Sequence, residues 1–236
     1  MNVQTTINRR LPIRLTVDSF WQLRNRPTFS GFVKKELIEG GLLGVPLGDD
    51  GEPFSDASVN VKLLVDDYRM LDEAGAFTEY RRTELIDGKV FALSPQYRRH
   101  GIVKMDLYDA LRDVLRTTGS PLRPVVEFSL ALSDVSLPEP DIMLTSEPVG
   151  DGPVPLASVA LVIEVASNTL AEDMGSMARL YASAGIPEYW VADVEAKVIH
   201  QMWAPEGDAY AQRRAVAFGE RIEAVTVAGV VVAIGL

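Results

Sequence analysis

Three carboxylates occupy positions in strand-like stretches where an apolar residue is expected. Glu84 interrupts one such stretch, Asp141 opens another directly after a proline, and Glu164 follows the apolar run 160–163. A carboxylate in such a place is costly unless it is paired, protonated or bound to a metal. If the three converged, their repulsion would favour a divalent cation, and oxygen ligands favour Mg²⁺ or Mn²⁺. Such a metal could polarise a phosphodiester and activate water for hydrolysis.

Each acid also has a simpler explanation, which the residues alone leave open. Glu84 could pair with a neighbouring arginine, Asp141 could belong to a turn, and Glu164 could be a buried acid satisfied by hydrogen bonds. A fourth candidate, His100, could cap its helix or belong to a solvated basic patch with the two arginines before it.

The elements that would position these residues alternate between helices and strands along the chain. Apolar spacing predicts helices over 65–74, 101–116 and 171–184. Strands are predicted over 82–93 (a hairpin about Asp87-Gly88), 123–132, 141–144, 160–165, 188–192, 198–203 and 210–218, with one or two more over 225–234. This order predicts an α/β or α+β fold in which a mixed central sheet is flanked by helices on both faces.

Composition excludes several classes of protein. The chain has 236 residues, of which 47% are hydrophobic and 24% charged, and its net charge of −10 is unsuited to coating nucleic acid with the whole surface. Cysteine is absent, which excludes disulfide scaffolds and thiolate metal sites. The N-terminus carries no apolar signal core, and the longest apolar run is about ten residues, short of the roughly 20 that span a bilayer. We therefore expect a cytoplasmic protein with no membrane contact.

An internal repeat marks the N-terminal third. Residues 14–44 align without a gap to residues 62–92, and a linker rich in glycine, proline, aspartate and serine lies between them. Identical positions are Leu15, Val17, Asp18, Leu23, Phe29, Glu36, Leu37, Ile38 and Gly40, which match Leu63, Val65, Asp66, Leu71, Phe77, Glu84, Leu85, Ile86 and Gly88. We interpret residues 1–61 as an extension carrying a partial repeat and residues 62–236 as the main domain. The duplicated copy could cover one face of that domain or form a homodimer contact.

Several motifs together resemble a known family. They are Thr83–Gly88, Ser94-Pro95, His100, Pro140-Asp141, Glu164–Ala166 and, above all, the stretch Leu180–Asp193 with its AGIPEYW sequence. This set resembles the Uma2 family of restriction-endonuclease-like proteins over about residues 62–236. The resemblance implies a PD-(D/E)XK nuclease fold and a metal at the edge of the sheet. It also implies Asp141, Glu164 and Glu84 as Mg²⁺ or Mn²⁺ ligands, with His100 as a further catalytic residue.

One position departs from the family pattern. The helix after Glu164 resembles the family's D-R-G-x-K-x-x-x-Y, but Met177 stands at the lysine and Met174 at the arginine. Loss of an electrostatic group of this kind typically costs roughly 10² to 10³ in rate. Arg179 faces away from this helical stripe, whereas Lys104 on the preceding helix could reach the site.

Two functions follow as expectations. The favoured one is a metal-dependent endonuclease that acts on nucleic acid, with DNA as the expected substrate and a 5′-phosphate product implied by the resemblance. Its activity would be weakened by Met177. The alternative is a catalytically inactive relative that serves as a binding or assembly module.

Overall fold

The computed structural model describes residues 10–55 and 57–235. These residues form two compact units. We call residues 10–94 with 132–138 the hairpin unit, and residues 95–131 with the described chain from 139 onward the sheet unit. The predicted boundary at residue 61 falls inside the hairpin unit, and residues 1–9 of the predicted extension lie outside the described residues.

The hairpin unit consists of two short helices and two small antiparallel sheets. The helices are α1 (Val17–Leu23) and α2 (Val65–Glu73), and a 3-10 helix spans Pro27–Phe29. The strands are β1 (Arg10–Pro12), β2 (Phe32–Ile38), β3 (Gly41–Pro46), β4 (Val59–Asn60), β5 (Thr83–Ile86) and β6 (Lys89–Leu93). They form sheets of order β1-β6-β5 and β2-β3-β4. A shared apolar core, which includes Leu23, Phe29, Leu71 and Phe77, joins them.

The two copies of the sequence repeat have the same order of elements in this unit. Each consists of a helix followed by a hairpin, α1 with β2–β3 and α2 with β5–β6. The strand that precedes each helix pairs with the hairpin of the other copy, because β1 pairs with β6 and β4 pairs with β3. Equivalent backbone hydrogen bonds extend these pairings, from Ile13 N–H to the Val90 carbonyl and from Val61 N–H to the Leu42 carbonyl. The copies are therefore interlocked by reciprocal strand exchange.

The hairpin turns explain why both copies keep an acidic residue followed by glycine. Glu39 and Gly40 have φ values of 51° and 80°, and Asp87 and Gly88 have values of 49° and 74°. Two successive positive φ values define the two-residue turn that matches strand twist. A Cβ on either glycine would also collide with the first residue of its own copy.

The sheet unit is built on a six-stranded mixed sheet of order β14-β13-β12-β11-β9-β7. The strands of this unit are β7 (Arg123–Val126), β8 (Leu130–Ala131), β9 (Ile142–Thr145), β10 (Val154–Pro155), β11 (Val159–Ala166), β12 (Glu188–Asp193), β13 (Val198–Glu206), β14 (Ala209–Ala217), β15 (Ile222–Glu223) and β16 (Val231–Val232). Strands β11 and β12 are parallel, and the other neighbours in the six-stranded sheet are antiparallel. This confirms the predicted mixed α/β class.

Helices cover the sheet of this unit. Helix α3 (Arg98–Thr118) contributes Val103, Leu107, Leu111 and Leu115, spaced four apart and buried in the main core. The second helical segment comprises α4 (Leu170–Glu172), a π-helical turn (Asp173–Met177) and α5 (Ala178–Ser183). A 3-10 helix spans Leu156–Ser158. Helix α3 contacts β7 and β11, and α5 contacts β13 and β14.

Three predicted elements differ from the observed ones. The strand predicted over 123–132 is split into β7 and β8 because Glu127 adopts a left-handed backbone with φ 58°. Of the one or two strands predicted over 225–234, the structure has the short β16, which pairs with β15. The helix predicted over 171–184 contains the π-helical turn, which inserts an extra residue and shifts the side chains after it around the axis.

Candidate active site

Asp141, directly before β9, and Glu164, inside β11, lie close together in the sheet unit. Antiparallel pairing joins β9 to β11, with Ile142 opposite Ile163, and Asp141 lies one residue beyond that pair. Its N–H donates to Glu164 Oε2 at 3.3 Å. Both residues are 0% exposed. The structure therefore brings together two of the predicted acids, 23 positions apart, inside the protein.

Donors from the loop before α3, from α3 itself and from β11 hold the Asp141 carboxylate. The Nε2 atom of His100 lies 3.1 Å from Oδ1, and the amide nitrogen of Gln96 donates to the same oxygen at 3.0 Å. The other oxygen, Oδ2, accepts the Val165 N–H at 2.9 Å. These contacts stabilise the ionised carboxylate in a buried position. The predicted site residue His100, itself buried, thus lies at the site.

The Glu164 carboxylate is held by the opposite helical layer. The Tyr181 hydroxyl, on α5, donates to Glu164 Oε1 at 3.0 Å. With the Asp141 N–H on Oε2, each oxygen of Glu164 accepts a hydrogen bond from a neutral group. Hydrogen bonds to a charged acceptor are stronger than those between neutral groups, so this arrangement offsets the cost of burial.

A buried lysine completes the cluster from helix α3. Lys104 follows His100 by one helical turn, which places both side chains on one face. Its Nζ lies 3.6 Å from Asp141 Oδ1, donates to Gln96 Oε1 at 2.6 Å and forms an ion pair with Glu127. The side chain is only 10% exposed, so solvent screens these charges weakly.

The helical segment after Glu164, which carries a lysine in the family pattern, places no basic side chain beside the two acids in the described structure. Met177 ends the π-helical turn and is buried, while Arg179 is exposed. Two hydrogen bonds to Asp173 hold the π-helical turn in place. The Thr169 hydroxyl donates to Asp173 Oδ2, and the Tyr189 hydroxyl donates to the Asp173 carbonyl at 3.1 Å. Lys104 is thus the lysine that lies beside Asp141.

Glu84 belongs to the hairpin unit. It lies on β5, is buried, and forms an ion pair with the equally buried Arg10. The guanidinium supplies a counter-charge within that unit. The expectation that Glu84 is a metal ligand stays a prediction.

Two residues of the cluster were not singled out from the sequence. Gln96 lies in the loop before α3 and bridges Asp141 to Lys104. Glu127 follows two valines at the end of β7, and its left-handed backbone is a costly conformation for a residue other than glycine. The sequence pattern that could have revealed Glu127 is the one that revealed Glu164, since each is an acid directly after an apolar run.

The oxygen ligands present suit Mg²⁺ or Mn²⁺ if the substrate supplies further ligands to the same ion. Asp141 and Glu164 offer carboxylate oxygens, the ligand type that Mg²⁺ and Mn²⁺ prefer. Within residues 10–55 and 57–235, no group of three His, Asp or Glu side chains is arranged to hold a metal. Mg²⁺ often uses one or two protein carboxylates and completes its shell with water and phosphate oxygens. The residues present fit that mode rather than an all-protein cage.

The sheet unit thus has a mixed sheet flanked by helices, with two buried carboxylates on adjacent strands. The family model Uma2, described as "Putative restriction endonuclease", matches residues 65–235. The chain belongs to this family, as its motifs predicted.

Other comparisons are more distant. A solved structure described as a "putative nuclease belonging to DUF820 from Anabaena variabilis ATCC 29413" is 15% identical, with a TM-score of 0.46, over 62% of this chain and 83% of that one. No curated protein matches the chain. In the described part of the chain, no helix has the length and apolarity needed to cross a membrane.

Proposed function

We propose that this Uma2 protein is a metal-dependent endonuclease that hydrolyses phosphodiester bonds in DNA. The observation that supports this most directly is the adjacency of Asp141 and Glu164, two fully buried acids linked by a hydrogen bond of 3.3 Å from the Asp141 backbone N–H to Glu164 Oε2. Burial of two acids side by side is costly, and a divalent cation offsets their repulsion.

Asp141 and Glu164 would hold the cation, Mg²⁺ or Mn²⁺. The bound metal supplies Lewis-acid polarisation of the phosphodiester and a counter-charge for the transition state. Glu84 is retained as a third ligand on the strength of the family resemblance alone.

The surrounding residues have separate roles in this proposal. His100 and Gln96 orient the Asp141 carboxylate, and the Tyr181 hydroxyl orients that of Glu164. Lys104 supplies the positive charge that stabilises the negative charge developing on the phosphate, in place of the lysine lost at position 177. A buried ammonium is well suited to this because its field is weakly screened.

The test measures cleavage of single- and double-stranded DNA with Mg²⁺ or Mn²⁺. The parent chain should cleave, and Asp141→Asn should lose activity while keeping the shape of the carboxylate. Asp113→Asn is a matched control because Asp113 is a carboxylate on the exposed surface of α3. Equal cleavage by the parent and Asp141→Asn, or no binding of either metal, would refute the proposal.

A second function is favoured by the contacts of Lys104. Its ammonium already lies beside Asp141, and the helix after Glu164 carries Met174 and Met177 instead of basic residues. These features suit an inactive relative that serves as a binding or assembly module, for which a homodimer is one expected form. Cleavage that appears only after Met177→Lys would support this second function over the first.

A further inference from the structure

A groove of about 970 Å³ lies at the N-terminal end of helix α3 in the sheet unit. Its lining includes Tyr97, Arg98, Arg99, Ile102, Met105 and Ser167. Lys104 and His100 on the same helix contact Asp141, so α3 borders the groove and also carries two residues of the candidate active site.

The groove and the candidate active site share a wall. Gln96 lines the groove and also donates to Asp141 Oδ1 at 3.0 Å. Ser167 lines it from the chain immediately after β11, three residues beyond Glu164. A chain molecule lying in the groove would therefore lie beside Gln96, which contacts the Asp141 carboxylate.

The start of α3 is electrostatically unfavourable for the helix itself. The residue at the N-cap is Tyr97, which makes no side-chain capping bond, and the first turn contains no acid. Arg98 and Arg99 begin the helix instead, where the macrodipole disfavours cations. Arg99 makes one exposed ion pair, with Glu195 at 3.4 Å. The exposed guanidinium groups of Arg98 and Arg99 at a helix N-terminus suit an anion such as a phosphate.

The groove also exposes apolar surface beside these cations. Tyr97 is 62% exposed, Ile102 45% and Met105 65%. An exposed aromatic ring next to arginines is the combination that binds unpaired nucleotides, because bases stack on the ring while cations contact the phosphates.

We propose that this groove binds a single-stranded segment of nucleic acid and leads it to the candidate active site. A base stacks on Tyr97, and phosphates contact Arg98 and the N–H groups at the start of α3. A single strand is favoured over a duplex because paired bases are already stacked and cannot offer their faces to a side chain. The proposal rests on the proposed function only in assuming that the bound strand is the one cleaved.

Binding is measured by fluorescence anisotropy with a labelled 20-nucleotide oligothymidylate and with a duplex of equal length, in EDTA so that no strand is cut. The parent should bind the single strand more tightly. Tyr97→Ala should weaken binding about 5- to 150-fold, the range for one base–aromatic stack, whereas Tyr97→Phe, which keeps the ring, should bind like the parent.

The phosphate contact has its own readout. Arg98→Gln should lower the slope of log affinity against log salt by about 0.7, the value for one phosphate on a single strand. Arg112→Gln is the matched control, since Arg112 lies farther along α3 among Asp109 and Asp113. Its salt slope should equal that of the parent.

Two outcomes would overturn the groove assignment. One is equal binding by the parent and Tyr97→Ala, and the other is tighter binding of the duplex with no change in salt slope for Arg98→Gln. Cleavage by the parent that is lost in Asp141→Asn would uphold the nuclease even then. Conversely, normal binding without cleavage would uphold the groove and refute the nuclease.

Discussion

Replacing Lys104 should change metal binding and cleavage in opposite directions. Its ammonium lies 3.6 Å from Asp141 Oδ1, where a divalent cation bound to that carboxylate would be repelled by it. Lys104→Gln keeps a side chain that can donate to Gln96 and Glu127 but removes the charge. The variant should therefore bind Mn²⁺ more tightly than the parent and cleave DNA more slowly.

The magnitude follows from the distance. The attraction between Lys104 and Asp141 at 3.6 Å, with which a bound cation would compete, is on the order of 4 to 5 kcal/mol at an effective dielectric constant of about 20. Desolvation of the ammonium opposes much of this, so we expect a gain in Mn²⁺ affinity of about tenfold, or about 1.4 kcal/mol. Cleavage at saturating metal should fall by roughly 10² to 10³, the usual effect of losing one electrostatic group at a reacting centre.

Isothermal titration with Mn²⁺ gives the affinity, and cleavage at saturating Mn²⁺ gives the rate. Lys104→Arg is the matched control because it keeps the charge, and it should not gain affinity. Near-ultraviolet circular dichroism shows whether each variant is folded. If Lys104→Gln bound Mn²⁺ no more tightly than the parent and cleaved at the parental rate, the assigned role of Lys104 would be wrong.

Three further outcomes are expected. Tyr181→Phe removes a donor from a buried carboxylate and should lower the free energy of unfolding by about 1.5–3 kcal/mol in urea titrations; no loss would contradict that contact. Gly88→Ala should lower the free energy of unfolding by about 2 kcal/mol or more, because the added Cβ would both clash with Lys62 and sit on a backbone with positive φ. Gly119→Ala also has a positive φ but open space around the Cβ, so its loss in the same assay should be smaller. Burial, with a smaller contribution from the charge of Glu188, raises the pKa of Tyr210 well above its usual range. The folded state thus favours the neutral phenol. Its contribution to the free energy of unfolding is fully present below pH about 10, the usual pKa of a tyrosine, and is lost as the pH rises above that value. Tyr210→Phe should weaken that decline between pH 10 and 11, and an unchanged decline would refute the assignment.

Local patterns were enough to predict the class of the fold. Spacing of Val103, Leu107, Leu111 and Leu115 indicated α3, and the continuous apolar run before Glu164 indicated a buried central strand. Such periodicities are local properties of the chain, so one sequence records them. They did not record the break at Glu127 or the π-helical turn, because both depend on contacts with distant segments.

The candidate site divides in the same way. The sequence by itself determined that acids stand in apolar, strand-like stretches, where burial is costly, and its motifs determined the family. Only the tertiary structure decided which charges face one another: it places Lys104 beside Asp141, buries Met177, and pairs Glu84 with Arg10. The physical reason is that a helix or strand fixes the direction of a side chain within its own element. The partner in space is set by how elements far apart in the chain pack together.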